Sequence, residues 1–207
     1  MSIQPLAGKY KVDMTAHKRN ETESSLRVYT IGHSTRLITA FIEMLKAHEV
    51  ELLIDVRTVP RSRHNPQFNL NELSAALECD HIRYIHTPGL GGFRHPLRGA
   101  TINVGWRNLS FRGYADYMQT DEFARHLNEL ITIARLQQIA IMCAEAVPWR
   151  CHRSLIADAL LVRGFQVQEI ASVTKTTPFS LHPWAQVNGM QVTYPGLPSP
   201  ILHGANP

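Results

Sequence analysis

Apolar positions in this chain recur in two rhythms. Residues 50–56 (VELLIDV) and 139–143 (IAIMC) are nearly continuous apolar runs of strand length, the pattern of parallel strands buried on both faces. Residues 27–31 and 165–170 read as two more strands, and residues 82–86 alternate like a further one. Between them the spacing turns helical. Leu37, Ile38, Phe41, Ile42 and Leu45 form one stripe, and Leu70, Leu73, Ala76 and Leu77 a second. Phe123, Leu127, Leu130, Ile131 and Ala134 form a third, and Leu155, Ile156, Ala159 and Leu160 a fourth.

Local punctuation agrees with that division. Asn69 or Asn71 can cap the second helix, and Thr120 the third, with Asp121 and Glu122 placed favourably in its first turn. Gly164 is placed to stop the fourth. Strands alternating with helices predict a single three-layer α/β domain over residues 26–172. It would hold a mostly parallel sheet of about five strands with helices on both faces. Residues 1–25 are polar and aperiodic, which predicts a disordered N-terminal arm. Residues 173–207 read as an extended, Pro-rich C-terminal tail. The stretch 87–113 holds six glycines, two prolines and four arginines and reads as one long loop, a kind that is usually functional or disordered.

Composition narrows the class only slightly. The chain has 207 residues, 44% of them apolar, enough for one buried core. No apolar run approaches the roughly 20 residues needed to span a bilayer, so no membrane partner is expected and a cytoplasmic location follows by default. Three cysteines rule out a disulfide framework that pairs them all within the chain. Of 21 basic residues, 16 are arginine, whose planar fork suits phosphate and carboxylate better than lysine's point charge does. That bias points to an anionic ligand, with nucleic acid as the other partner class.

The chemistry-bearing residues gather at predicted strand ends. His33 and Ser34 follow the first strand; Asp55 and Arg57 end the second, with Arg61 and Arg63 just beyond. His86 ends the third, and Cys143 and Glu145 end the fourth. In open parallel sheets ligands bind outside the carboxyl ends of the strands, so these groups are expected to converge. Cys143 and Cys151 are candidate reactive thiols, because the helix beginning near Cys151 and the charges of Arg150 and Arg153 would favour a thiolate. The same two residues, eight positions apart, could instead meet as a redox pair. His33 and His152 are candidate proton carriers. Ser34, Asp55, Arg57, Arg61, Arg63, Arg94, Glu145 and Arg153 are candidates for binding substrate, and Asp55 for pairing with one of the arginines. The cysteine and histidine spacings match no common zinc pattern, so neither a metal nor another cofactor is expected.

Taken in order, several short segments resemble a known family. They are Ile31-Gly32-His33-Ser34, Ile54-Asp55-Val56-Arg57 with Pro60 and Ser62-Arg63, and Leu90-Gly91-Gly92 with Arg94. Gly113–Met118 (GYADYM), Met142-Cys143-Ala144-Glu145 with Pro148, and Cys151-His152-Arg153 complete the set. The combination resembles the prokaryotic "domain of unknown function 488" family from about Tyr29 to Ile170. The resemblance implies an α/β fold and makes these positions the natural site candidates; it carries no reaction. A weaker likeness links the Ile-Asp-Val-Arg strand end and the strand–Cys–loop–helix unit to rhodanese and cysteine phosphatase domains. Ten residues separate Cys143 from Ser154, where those domains have a short anion cradle. Two readings of function remain: a cysteine-dependent enzyme acting on a small anionic or nucleotide-like substrate, or a nucleic-acid-binding module with arginine-rich loops. In the second, Trp106, Phe111 or Tyr114 would stack on bases.

Overall fold

The apolar runs become the centre of one sheet in a computed structural model that describes residues 26–196. In chain order the elements begin with β1 (Arg27–Gly32), α1 (Ile38–Ala47), β2 (Leu52–Asp55), α2 (Leu70–Cys79) and β3 (Arg83–His86). Next come α3 (Leu109–Tyr117), α4 (Asp121–Ala134), β4 (Ile139–Cys143), α5 (Arg153–Leu161) and β5 (Gln166–Ile170). Three short strands follow: β6 (Thr176–Pro178), β7 (Gln186–Asn188) and β8 (Gln191–Thr193). Single 3-10 turns sit at Pro66–Phe68, Pro88–Leu90 and Pro148–Arg150.

The main sheet runs β3-β2-β4-β1-β5-β6, parallel throughout except for β6, which pairs antiparallel with β5 at the edge. Alternation along the strands divides the apolar residues between two cores. Val28, Ile54, Ile141 and Val167 meet Tyr114, Leu127 and Leu155 of α3, α4 and α5 on one face. Tyr29, Ile31, Leu53 and Met142 meet Phe41, Leu45, Leu73 and Leu77 of α1 and α2 on the other. The result is a three-layer α/β domain.

Strand order determines where a site can form. The neighbours β1 and β4 send their following helices to opposite faces, α1 to one and α5 to the other. Such a reversal leaves a crevice beyond the carboxyl ends of the strands. Gly32 lies opposite Cys143 at that crevice. A Cβ on Gly32 would run into the Glu145 carbonyl and the Arg153 guanidinium, so glycine is needed for the two loops to close on each other.

Local signals were met unevenly. Thr120 caps α4, accepting a hydrogen bond from the Phe123 amide at 3.3 Å, and Gly164 takes the left-handed conformation (φ 81°) just after α5. Asn69 stands at the cap position of α2, but its side chain accepts from the Ser62 amide at 2.8 Å and so organises the preceding loop instead. The stretch 87–113 is not one loop. It contains a 3-10 turn and the start of α3, capped by Asn108, whose side chain accepts from the Ser110 and Phe111 amides. Gly113, a poor helix former, obscured that helix in the sequence; it sits against the Arg94 and His95 backbone, where a Cβ has no room.

Beyond Ser172 the chain adds β6 to the sheet and turns a hairpin, β7–β8, about Gly189. Val192 and Tyr194 are buried in the core beside α5. The Tyr194 hydroxyl donates to Asp158 at 2.6 Å, and its amide donates to Asn103 at 2.9 Å. The expected arm at 1–25 and the tail beyond 196 lie outside the described residues.

Candidate functional site

Beyond the β1/β4 crevice lies a cleft of about 530 Å³. His33, Arg57, Arg61, Cys143, Glu145, Cys151 and His152 all line it, bringing together groups from the ends of β1, β2 and β4. Thr58, Ser62, Phe93, Asn108, Phe111 and Arg150 contribute the rest of its polar and aromatic surface.

The two sulfurs meet at its base, with Cys143 Sγ 2.7 Å from Cys151 Sγ. Both thiols are free and buried. Strand β4 carries Cys143 to its last position, and the 3-10 turn at Pro148–Arg150 brings the chain back to set Cys151 two residues before α5. Beneath them lies Arg153, with none of its surface exposed. Its Nε donates to Cys143 Sγ at 3.1 Å, and its backbone amide lies 3.5 Å from Cys151 Sγ. Its remaining nitrogens donate to the Glu145 carbonyl at 2.8 Å and to Glu169 at 2.9 Å. Thr30 also bonds to Glu169, from the neighbouring strand.

These surroundings separate the thiols electrostatically. Burial and the hydrogen bond to Cys151 push the Cys143 thiol well above its ordinary range. Burial also penalises a Cys151 thiolate, but the hydrogen bond from Cys143 and the charge of Arg153 outweigh it and bring Cys151 down to about 7. The two sulfurs share a hydrogen bond, and Cys151 is the more acidic of the pair. Burial acts against the Arg153 charge, and the two sulfurs together with Glu169 more than offset it.

Both histidines are held neutral. Burial lowers His33 to about 4 against the opposing pull of the Ser34 carbonyl, which accepts from Nδ1 at 2.8 Å. Its Nε2 faces Arg57 at 3.3 Å, and the ring stacks on Phe68 with centroids 4.3 Å apart. His152 is lowered by burial as well. Its Nε2 donates to the Val56 carbonyl at 3.0 Å, which leaves Nδ1 as an acceptor 3.6 Å from Cys151 Sγ. Gly92 packs against that ring; an added Cβ would lie 2.5 Å from Nδ1.

Not every expected ligand-binding residue reaches the cleft. Arg153 lies beneath the sulfurs, held by Glu169, and is not among the residues lining the cleft. Asp55 is fully buried and grips Arg57 in a two-point ion pair at 2.6–2.9 Å, while the Tyr84 hydroxyl donates to the same carboxylate at 2.6 Å. Arg57 is consequently largely neutralised at the cleft wall. Arg94 lies over the Tyr117 ring at 3.6 Å and donates to the Gly89 and Gly91 carbonyls. Ser34 contributes a turn with positive φ, and Arg63 is exposed outside the lining. His86 donates to the Arg57 carbonyl and does not line the cleft. Two arginines do face it openly: among the described residues no carboxylate pairs with Arg61 or Arg150. No group of three or more His, Cys, Asp or Glu among the described residues is arranged to hold a metal.

Glu169 escaped the sequence reading. A glutamate next to Ile170 in a buried strand demands a cationic partner, and that was the available signal.

The model of a domain of unknown function, DUF488, matches residues 37–160, more than half of the chain. The chain belongs to the DUF488 family. The DUF488 match takes in Asp55, Arg57, Arg61, Cys143, Glu145 and Cys151–Arg153, while His33 and Glu169 lie outside it. No curated protein and no solved structure matches the chain. No helix among the described residues of this DUF488 protein is long and apolar enough to cross a membrane.

Proposed function

We propose that the protein is a cysteine-dependent enzyme acting on a small anionic or nucleotide-like substrate. The observation that carries this reading is the thiol pair over Arg153 at the base of a cleft whose wall exposes Arg61 and Arg150. Cys151 is the nucleophile, favoured over Cys143 by its lower pKa. Cys143 hydrogen-bonds to its sulfur, and His152 Nδ1 is placed to take up the Cys151 proton. Arg61 and Arg150 hold the anionic group of the substrate, and Phe93 and Phe111 offer faces to an apolar or aromatic part. The cleft's volume falls within the range of small-molecule sites.

Thiol alkylation against pH tests this. Cys79 is exposed and must first be replaced by serine. The remaining reactivity should then titrate with a midpoint near 7. At pH 7 it should exceed that of an ordinary thiol by about 15-fold in thiolate fraction. Adding Cys151→Ser should abolish the neutral-pH phase. A profile rising only above about pH 8 would reject the reading.

The nucleic-acid reading retains one favourable observation. Phe93, on the cleft wall, is 81% exposed, and Trp149 is 70% exposed near Arg150. Two of the expected stacking residues are not open to bases: Tyr114 is fully buried, and Trp106 is stacked on Phe111 within an aromatic cluster. If this reading holds, single-stranded DNA will bind with an affinity that falls steeply with salt and drops in Phe93→Ala. Absence of binding at low salt removes it.

A further inference from the structure

The Cys143 sulfur is better provided with donors than a passive thiol needs. Besides the contact with Cys151, it accepts from Arg153 Nε at 3.1 Å and from the Glu145 amide at 3.3 Å. A protonated thiol makes little use of two N–H donors; a thiolate makes full use of them. Arg153 thus supports one negative charge that either sulfur can carry. When Cys151 is consumed by a covalent bond its charge is lost, and the same donors are then free to stabilise a Cys143 thiolate. The sulfurs are 2.7 Å apart, so reaching the bonded separation of about 2.05 Å takes a shift of less than about 1 Å.

Resting on the cysteine-nucleophile reading above, we infer that Cys151 and Cys143 act in turn as attacking and resolving sulfurs on a small disulfide that carries carboxylates. The Cys151 thiolate attacks one sulfur of R–S–S–R. The substrate's S–S bond breaks, a Cys151–S–S–R bond forms, and RS⁻ leaves. Cys143 gives up its proton, which ends on that leaving thiolate. The Cys143 thiolate then attacks Cys151 Sγ, forming Cys143–Cys151 and releasing the second RS⁻. Two electrons pass from the protein dithiol to the substrate disulfide. A dithiol reductant, by the same exchange in reverse, resets the pair.

The rest of the cleft fits this chemistry. Resolution by Cys143 needs no activated water, and neither histidine has a ring nitrogen committed to activating one. His33 is engaged with Ser34 and Arg57, and His152 with Val56 and Cys151. Arg61 and Arg150 supply the charge for carboxylates, with Glu145 as the single carboxylate among the lining residues. A cationic disulfide lacks that attraction.

Trapping the intermediate tests the inference. The reduced Cys79→Ser protein, alone and with Cys143→Ser added, is mixed with glutathione disulfide, quenched in acid and weighed intact. The Cys79→Ser protein should show the Cys143–Cys151 disulfide and almost no adduct. The Cys143→Ser form should keep one glutathione on Cys151 at least ~10-fold longer. Cystamine, a cationic disulfide, should react at least ~10-fold more slowly than glutathione disulfide. Cys143→Ala, checked by circular dichroism, guards against a folding defect in the serine variant, and peptide mapping of the Cys79→Ser protein reads the disulfide without touching either residue. An adduct resolved equally fast without Cys143 overturns the inference. So does a fast Cys151 alkylation at pH 7 with no disulfide exchange, an outcome that leaves the cysteine-nucleophile reading standing. Equal rates for the two disulfides overturn the carboxylate preference. Loss of the neutral alkylation phase would instead remove both readings.

Discussion

Replacing Arg153 with alanine is expected to destabilise the protein by about 3–5 kcal/mol, the cost of stripping the partner from a buried charge. For a domain of this size that corresponds to a fall in Tm of roughly 6–20 °C. The residue is fully buried, and its guanidinium ties together three separate parts of the chain: Thr30 on β1, the Cys143 sulfur and Glu145 carbonyl after β4, and Glu169 on β5. Alanine leaves the Glu169 carboxylate beside Thr30 without its counter-ion. Lysine is no substitute, since one ammonium cannot serve acceptors that the planar fork reaches in different directions. The double variant Arg153→Met with Glu169→Gln should recover much of the loss, because it removes the stranded charge together with its partner. Urea unfolding at pH 7 measures all three proteins. A loss below about 1 kcal/mol in Arg153→Ala would contradict the role given to this ion pair.

Asp55→Ala should produce a loss of the same order, about 3–5 kcal/mol, since it strands Arg57, which is nearly buried. Asp55→Asn separates charge from shape. It keeps an acceptor for the Tyr84 hydroxyl and for one arginine N–H, so its cost should be well below that of alanine. It also removes the charge that neutralises Arg57 at the cleft wall. Inorganic phosphate should then bind about 5-fold more tightly at low salt, roughly 1 kcal/mol of added attraction, and the gain should fade as ionic strength rises. Unchanged phosphate affinity would show that Arg57 does not face the bound anion.

How much of this was legible beforehand depended on the range of the interactions involved. Thr120 and Gly164 announced the ends of their helices because capping is settled within a turn of the chain. Asn69 carried the same signal, but a longer-range acceptor role toward Ser62 claimed its side chain. Asp55 was readable as half of an ion pair, since a carboxylate in an apolar strand needs a cation and Arg57 stands two residues away. Arg153 carries no local sign of its ion-pair partner: Glu169 lies 16 positions further on in a different strand, and no local pattern connects them. The thiol pair was visible only as a spacing, which is compatible with contact and with separation alike.

The alternation of strands and helices, the two-sided burial of the central strands and the clustering of arginine, histidine and cysteine at strand ends are all written in the local order of residues. These follow from periodicity and from the backbone's demand for partners, both of which act over a few residues. The strand order, and with it the crevice between β1 and β4 where α1 and α5 diverge to opposite faces, comes from packing. Packing likewise brought Cys143 to Cys151 and set Arg153 under them, with Arg61 and Arg150 on the cleft wall. A buried charge must find a partner wherever packing has put one, and packing joins residues that are far apart in the chain.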